Sequence, residues 1–122
     1  MKNLQVEKCF NIFEIYNKNY EIEQIGIVPV FLKGTDDQKF TALKNRVEQD
    51  YKICRTFVPI TEEESIKLKV IKTFYKNSFN YETALYDLIE KKLKVKFKDC
   101  ILNVITPIVD GKVSFTKSIG IK

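Results

Sequence analysis

The sequence contains no histidine and no tryptophan, and only two of its 21 basic residues are arginines. Histidine titrates near neutral pH and is the commonest metal ligand in proteins. Its absence excludes Ser-His-Asp and Cys-His nucleophile systems and the usual histidine-containing zinc and iron sites. The scarcity of arginine disfavours bidentate recognition of phosphate and guanine, for which the planar guanidinium is the usual group. These absences argue against most enzyme classes.

Glycine and cysteine are also scarce. The four glycines are isolated from one another, so the chain has neither a P-loop nor a GxGxxG motif. The three cysteines, Cys9, Cys54 and Cys100, form no CxxC pair, and an odd number does not make a closed disulfide framework. We therefore expect reduced thiols, no metal and no cofactor.

Long apolar runs are missing as well. Residues 1–10 lack the apolar segment of a signal peptide, and no run approaches the roughly 18 residues of a spanning helix. We expect a soluble cytoplasmic protein that does not contact a membrane.

What the chain has in excess is residues with AT-rich codons. Lysine, asparagine, isoleucine, phenylalanine and tyrosine make up 57 of the 122 residues. This bias is typical of a low-GC bacterium or of a phage that infects one, in which case the protein acts in the host cytoplasm. It also explains most of the basic net charge of +5 without reference to a ligand.

Both ends of the chain have the composition of β-strands. Residues 4–16 and 20–32 are rich in Ile, Val, Phe and Tyr and are separated by an Asn-Lys-Asn turn. We predict a hairpin with these facing pairs: Phe13 with Ile22, and Ile15 with Tyr20. Pro29 indicates a sheet edge or a bulge at its position in the second strand.

The middle of the chain is predicted to be helical. Capping boxes begin at Thr35 and Thr61, each with a glutamine or glutamate three residues later. We predict helices over about 36–52, 62–76 and 80–92. Residues 65–75 also alternate apolar residues with lysine as a strand does, and we favour the helix because its cap is strong.

The C-terminal segment is predicted to form a second hairpin. An Asp110-Gly111 turn separates two strand-like runs, and the facing residues have numbers that sum to 221. A two-residue turn would place Pro107 at a hydrogen-bonded site opposite Ser114, where proline cannot donate. We therefore expect a wider, four-residue loop.

Together these elements predict a single α+β domain over residues 1–122. Its antiparallel sheet is built from the N- and C-terminal hairpins, and the two or three helices pack on one face.

A row of lysines offers one candidate binding site. Residues 93–122 carry six basic and two acidic residues, and lysine alternates with apolar residues over 92–98. On a strand this pattern gives one basic face, which is suited to nucleic-acid phosphates or to the protection of a sheet edge. The candidate nucleic-acid-binding residues are Lys91, Lys92, Lys94, Lys96, Lys98 and Lys112.

The second candidate is an apolar sheet face. In the predicted hairpin, Ile101, Ile105 and Val109 point away from the hairpin's core side. They either pack under a helix or form an exposed apolar patch, and such patches often mark partner surfaces. We expect a non-enzymatic protein with no catalytic residues that binds another protein or self-associates. An inhibitor, adaptor or subunit encoded by a phage or mobile element fits this description. A nucleic-acid-binding module that uses the lysine row over 91–98 is the alternative.

Overall fold

One five-stranded sheet forms the centre of the protein. The computed structural model describes residues 6–74, 78–97 and 103–114 of the chain. The elements are β1 (Val6–Tyr16), β2 (Ile22–Lys33), α1 (Asp36–Ile53), β3 (Thr56–Pro59), α2 (Glu62–Phe74), α3 (Ser78–Leu93), β4 (Asn103–Val109) and β5 (Lys112–Val113). The strand order is β3-β2-β1-β4-β5.

The sheet is mixed, which corrects the expectation of a purely antiparallel sheet. β1 pairs antiparallel with β2, and on its other side it pairs parallel with β4, from Phe10 opposite Asn103 to Tyr16 opposite Val109. A parallel neighbour requires the chain to cross over a face of the sheet. The chain does so through its helical middle, and β1 therefore becomes the central strand.

The helices cover both faces of the sheet, so the prediction that they pack on one face is wrong. α1 packs with Phe13 and Val30 in one apolar cluster. α2 and α3 pack with Ile12 and Ile25 in another. Because neighbouring residues of a strand point to opposite faces, β1 and β2 carry apolar side chains on both sides and need cover on both.

The three predicted helices are present close to their expected bounds. The capping box of α1 forms between Thr35 and Gln38, and the equivalent hydrogen bonds join Thr61 and Glu64 at the start of α2. The helical prediction for residues 65–75 therefore holds as far as the described residues reach. None of the three described helices is both long and apolar enough to cross a bilayer. Strand β3 was not predicted, because four residues carry too little periodicity.

The predicted register of the N-terminal hairpin is wrong. Tyr16 lies opposite Ile22, and a bulge follows the pair of Ile15 with Gln24. The connection is longer than the predicted turn because the Asn17 side chain folds it, accepting from the N–H groups of Asn19 and Glu21. In the observed register Glu14 lies opposite Ile25 and avoids a facing acidic residue.

Pro29 lies at an edge, as predicted. β3 pairs only with the stretch of β2 from Gln24 to Ile27. Beyond Ile27, no described strand covers that side of β2, and Pro29 is exposed there. A residue without an N–H makes this edge a poor template for a further strand.

The turn between β4 and β5 is narrower than predicted. Val109 pairs with Lys112 and Ile108 with Val113, which are two of the predicted pairs, and Asp110 and Gly111 alone form the tip. Both tip residues have positive φ, 56° and 76°, as a type I′ turn requires. Pro107 does occupy a hydrogen-bonded site, where its carbonyl accepts from the Ser114 N–H at 2.9 Å. The rest of this hairpin lies outside the described residues.

At Gly111 the narrow turn restricts the backbone conformation but leaves room for a side chain. A Cβ at this position meets nothing within 4 Å. We expect Gly111→Ala to lower the free energy of unfolding by about 1 kcal/mol, since alanine is strained at positive φ. Gly111→Asn should lose less, because asparagine tolerates this region. Urea unfolding of both variants measures the difference, and equal losses would contradict the two-residue turn.

Candidate functional site

Over the described residues 91–97, the predicted lysine-bearing strand does not form. Residues 91–93 continue α3, and Lys94 adopts the left-handed conformation with φ 58°, ending the helix. The Lys94 N–H donates to the Glu90 carbonyl at 2.7 Å, and the Phe97 N–H donates to the Glu90 carboxylate at 2.6 Å. Because Phe97 is buried, this segment folds back onto the core instead of extending as a strand.

Lys92 contributes to the structure of the protein itself. Its ammonium forms an ion pair with Glu64 at the start of α2 and donates to the Pro59 carbonyl at 2.7 Å. The hydrogen bond from Lys92 holds the pKa of Glu64 below its usual value, and the hydrogen bond that the Thr61 backbone N–H donates lowers it further. The remaining described lysines of the predicted site are exposed but do not share a strand: Lys91, Lys94, Lys96 and Lys112. Lys98 lies outside the described residues.

The neighbours Lys91 and Lys92 provide a matched pair of variants. We expect Lys92→Met to lower the free energy of unfolding by about 1 kcal/mol, the usual effect of losing one such contact, and Lys91→Met to change it little. Since the pKa of Glu64 is lowered by folding, this stabilisation is present above its usual value of 4.5 and is lost as the pH falls through the folded value. The difference between Lys92→Met and the unaltered protein should therefore shrink in acid. Equal effects of the two substitutions at neutral pH would refute the assignment.

The apolar residues predicted to form a partner surface are not exposed as expected. Ile105 is only 6% exposed and packs in the core between the sheet and the helices α2 and α3. Val109 is half-buried, and Ile101 lies outside the described residues. The crossover that makes β4 parallel to β1 also places a helical layer over this face. Ile105 is therefore part of the core and not of a binding surface.

A buried ionic network lies where β1 passes under α2 and α3. Glu14 of β1 has no solvent exposure. One of its oxygens accepts a hydrogen bond from the Tyr16 hydroxyl at 2.9 Å, and the other accepts from the Tyr81 hydroxyl. Lys72 of α2 donates to the Tyr16 hydroxyl at 2.8 Å, and its Nζ lies 3.6 Å from Glu14 Oε1. Three side chains, one each from β1, α2 and α3, thus compensate one buried negative charge.

The tyrosine rings also stabilise the lysine. Lys72 Nζ lies 4.5 Å from the ring centroid of Tyr81 and 5.5 Å from that of Tyr16, both within cation–π range. Burial, followed by the negative charge of Glu14, raises the pKa of both tyrosines well above the usual value. Both hydroxyls therefore stay protonated and remain hydrogen-bond donors to the carboxylate.

A cavity of about 230 Å³ lies above this network, between the β1–β2 loop and α2. Tyr16, Tyr81 and Lys72 line it, whereas Glu14 lies beneath them and does not reach it. Because both Glu14 oxygens are occupied by phenolic donors, the carboxylate is not placed to exchange protons with a bound molecule. The geometry suits a network that fixes the position of α2 on the sheet.

The outer face of α2 carries an exposed apolar row, which was not predicted from the sequence to be a surface. Ile66, Val70 and Phe74 are 55%, 45% and 74% exposed, and their spacing of four residues aligns them along one side of the helix. Leu68 is buried on the opposite side of the helix, and Lys72, on that same side, is partly exposed and directs its ammonium toward Glu14. We call the three exposed residues the α2 stripe. The helical spacing of these residues is visible in the sequence, but there it served only to choose a helix over a strand.

Comparison of the chain with protein-family models, curated proteins and solved structures finds no match.

The raised tyrosine pKa values predict a loss of stability in alkali. Above pH 10, the usual tyrosine value, the unfolded chain releases the protons of Tyr16 and Tyr81 while the folded protein keeps them. The unfolded state is therefore favoured, and the free energy of unfolding should fall by about 1.4 kcal/mol per pH unit for each tyrosine. In the Tyr81→Phe variant, the free energy of unfolding should therefore fall less steeply between pH 10 and 11, by the contribution of one tyrosine. The Tyr81→Phe variant keeps every other ionisable group, so identical slopes would contradict the network.

Proposed function

We propose that this chain is a small non-enzymatic protein that binds another protein through the α2 stripe, as an inhibitor, adaptor or subunit. The observation that carries the proposal is the alignment of Ile66, Val70 and Phe74 on the solvent side of α2. Single exposed apolar residues are ordinary on protein surfaces, whereas a contiguous apolar row often marks an interaction site. The AT-biased composition fits an accessory protein of a phage or mobile element.

The position of the stripe on a rigid element supports this function. α2 is fixed to the sheet by Lys72 in the buried network and to the end of α3 by the ion pair of Glu64 with Lys92. A helix held at both ends presents its outer side chains in one arrangement, which lowers the entropy lost on association. This surface replaces Ile105 and its neighbours as the site that we propose for the partner.

Two matched substitutions test the role of the stripe. Phe74→Ser removes an exposed phenylalanine from it, and Phe31→Ser removes one that is 65% exposed on β2, away from α2. We expect Phe74→Ser combined with Val70→Ser to reduce recovery of a stoichiometric partner from host extract at least tenfold, and Phe31→Ser to leave it unchanged. Affinity capture with quantitative mass spectrometry measures the recovery.

Partner recovery that is equal for all three proteins would show that the stripe is not the binding surface. Because the three positions are exposed, the variants should unfold within about 0.5 kcal/mol of the unaltered protein. Circular dichroism during urea unfolding provides this control. A loss of binding without a loss of stability is the result that supports the proposal.

A further inference from the structure

An acidic cavity of about 270 Å³ adjoins the N-terminal end of the α2 stripe. Its apolar walls are formed by Ile22, Ile60 and Ile66. The carboxylates around it are those of Glu21, Glu23 and Glu62. Ile66 belongs both to this cavity and to the stripe, so the two form one continuous surface. We call the cavity the acidic pocket.

The pocket has a charge opposite to that of the protein as a whole. The chain has a net charge of +5, yet none of the described residues that line the pocket is basic. Within the described part of the chain, no ion pair joins its three carboxylates to a lysine or arginine. The negative charge is therefore left for a group outside the protein, and a cation is the complementary group.

The loop that carries two of these carboxylates is ordered by its own hydrogen bonds. Asn17 Nδ2 donates to Glu21 at 3.2 Å and to Glu23 at 3.3 Å. The Asn17 backbone also closes the loop, since its N–H donates to the Glu21 carbonyl at 3.0 Å. The two like charges are thus held on one side of the loop before any partner arrives. This arrangement is preorganised for a cation.

The stripe has the geometry of a helix-packing ridge. Residues four apart on a helix form a row, and packing such rows against one another is the commonest way in which helices associate. The stripe extends over nine residues, from Ile66 to Phe74, and its eight steps of about 1.5 Å give a length of about 12 Å. Long basic side chains combine an apolar stem with a charged head, which matches the isoleucine walls and carboxylates of the pocket.

We propose that the surface binds a basic amphipathic helix of a partner protein. The apolar side chains of that helix pack on Ile66, Val70 and Phe74, and one arginine or lysine enters the acidic pocket. Lys67 and Lys69 flank the stripe beyond Ile66. The part of the partner helix that lies against that section of the stripe is therefore not basic. This inference rests on the proposed function and adds the chemistry of the partner to it.

Selection from a library tests the inference without knowledge of the natural partner. A display library of single-helix peptides with random surface residues is selected on the full protein. The same library is selected on the Glu21→Gln, Glu23→Gln, Glu62→Gln triple variant, which keeps the shape of the pocket and removes its charge. Glu48→Gln, an exposed acid on α1, is the matched control. Binding of selected peptides is then measured by fluorescence anisotropy.

We expect peptides selected on the unaltered protein to carry an arginine or lysine at a fixed spacing from an apolar row. Their affinity should fall about tenfold or more on the triple variant and stay unchanged on Glu48→Gln. Peptides that bind the stripe without a basic residue, or that bind the triple variant equally well, would overturn the inference and leave the proposed function standing. Failure to enrich any peptide that depends on Val70 and Phe74 would overturn the inference of a helical partner, whereas the proposed function is rejected only by equal partner recovery in the extract experiment.

A second copy of this chain is the competing occupant. Sedimentation velocity of the unaltered protein and of Val70→Ser distinguishes it. We expect a monomer in both cases. A dimer that Val70→Ser dissociates would show that the stripe serves self-association, and it would overturn the proposal of a separate basic partner.

Discussion

The ion pair of Glu14 with Lys72, completed by two tyrosine hydroxyls, is the interaction on which the rest of the structure depends. A carboxylate without solvent exposure is costly unless charge and hydrogen bonds compensate it. Compensation comes from Tyr16 of its own strand, from Lys72 of α2 and from Tyr81 of α3. Each of these elements must be in place for the charge to be satisfied. The network therefore selects one arrangement of the helical layer over the sheet.

The orientation of α2 follows from this network. Lys72 reaches inward to Glu14, and Leu68, one turn earlier, is buried in the core. On a helix these positions lie opposite the row of Ile66, Val70 and Phe74. Turning the apolar row toward the core would withdraw Lys72 from the carboxylate. The exposure of three apolar side chains is thus maintained by a buried charge on the other side of the same helix.

Local signals in the sequence were sufficient for the helices and insufficient for the sheet and the site. The capping residues Thr35 and Thr61 act within one turn, and both helices begin where they indicate. The pairing of β1 with β4 depends on contacts between distant parts of the chain, which no local pattern contains. The alternation over residues 92–98 resembles a strand, but the last turn of α3 and the buried Phe97 determine the conformation. Glu14 was visible as an acid inside an apolar strand, but its partners come from distant helices.

The parallel pairing of β1 with β4 has a consequence for how the protein folds during synthesis. β1 leaves the ribosome before β4, which follows only after all three described helices. Until then one side of the central strand has unpaired backbone groups next to apolar side chains, a state that favours aggregation. Closure of a contact over this sequence distance is also slow. The nascent chain is therefore expected to rely on its α1 layer, which can form early against β1 and β2, to cover apolar surface until β4 arrives.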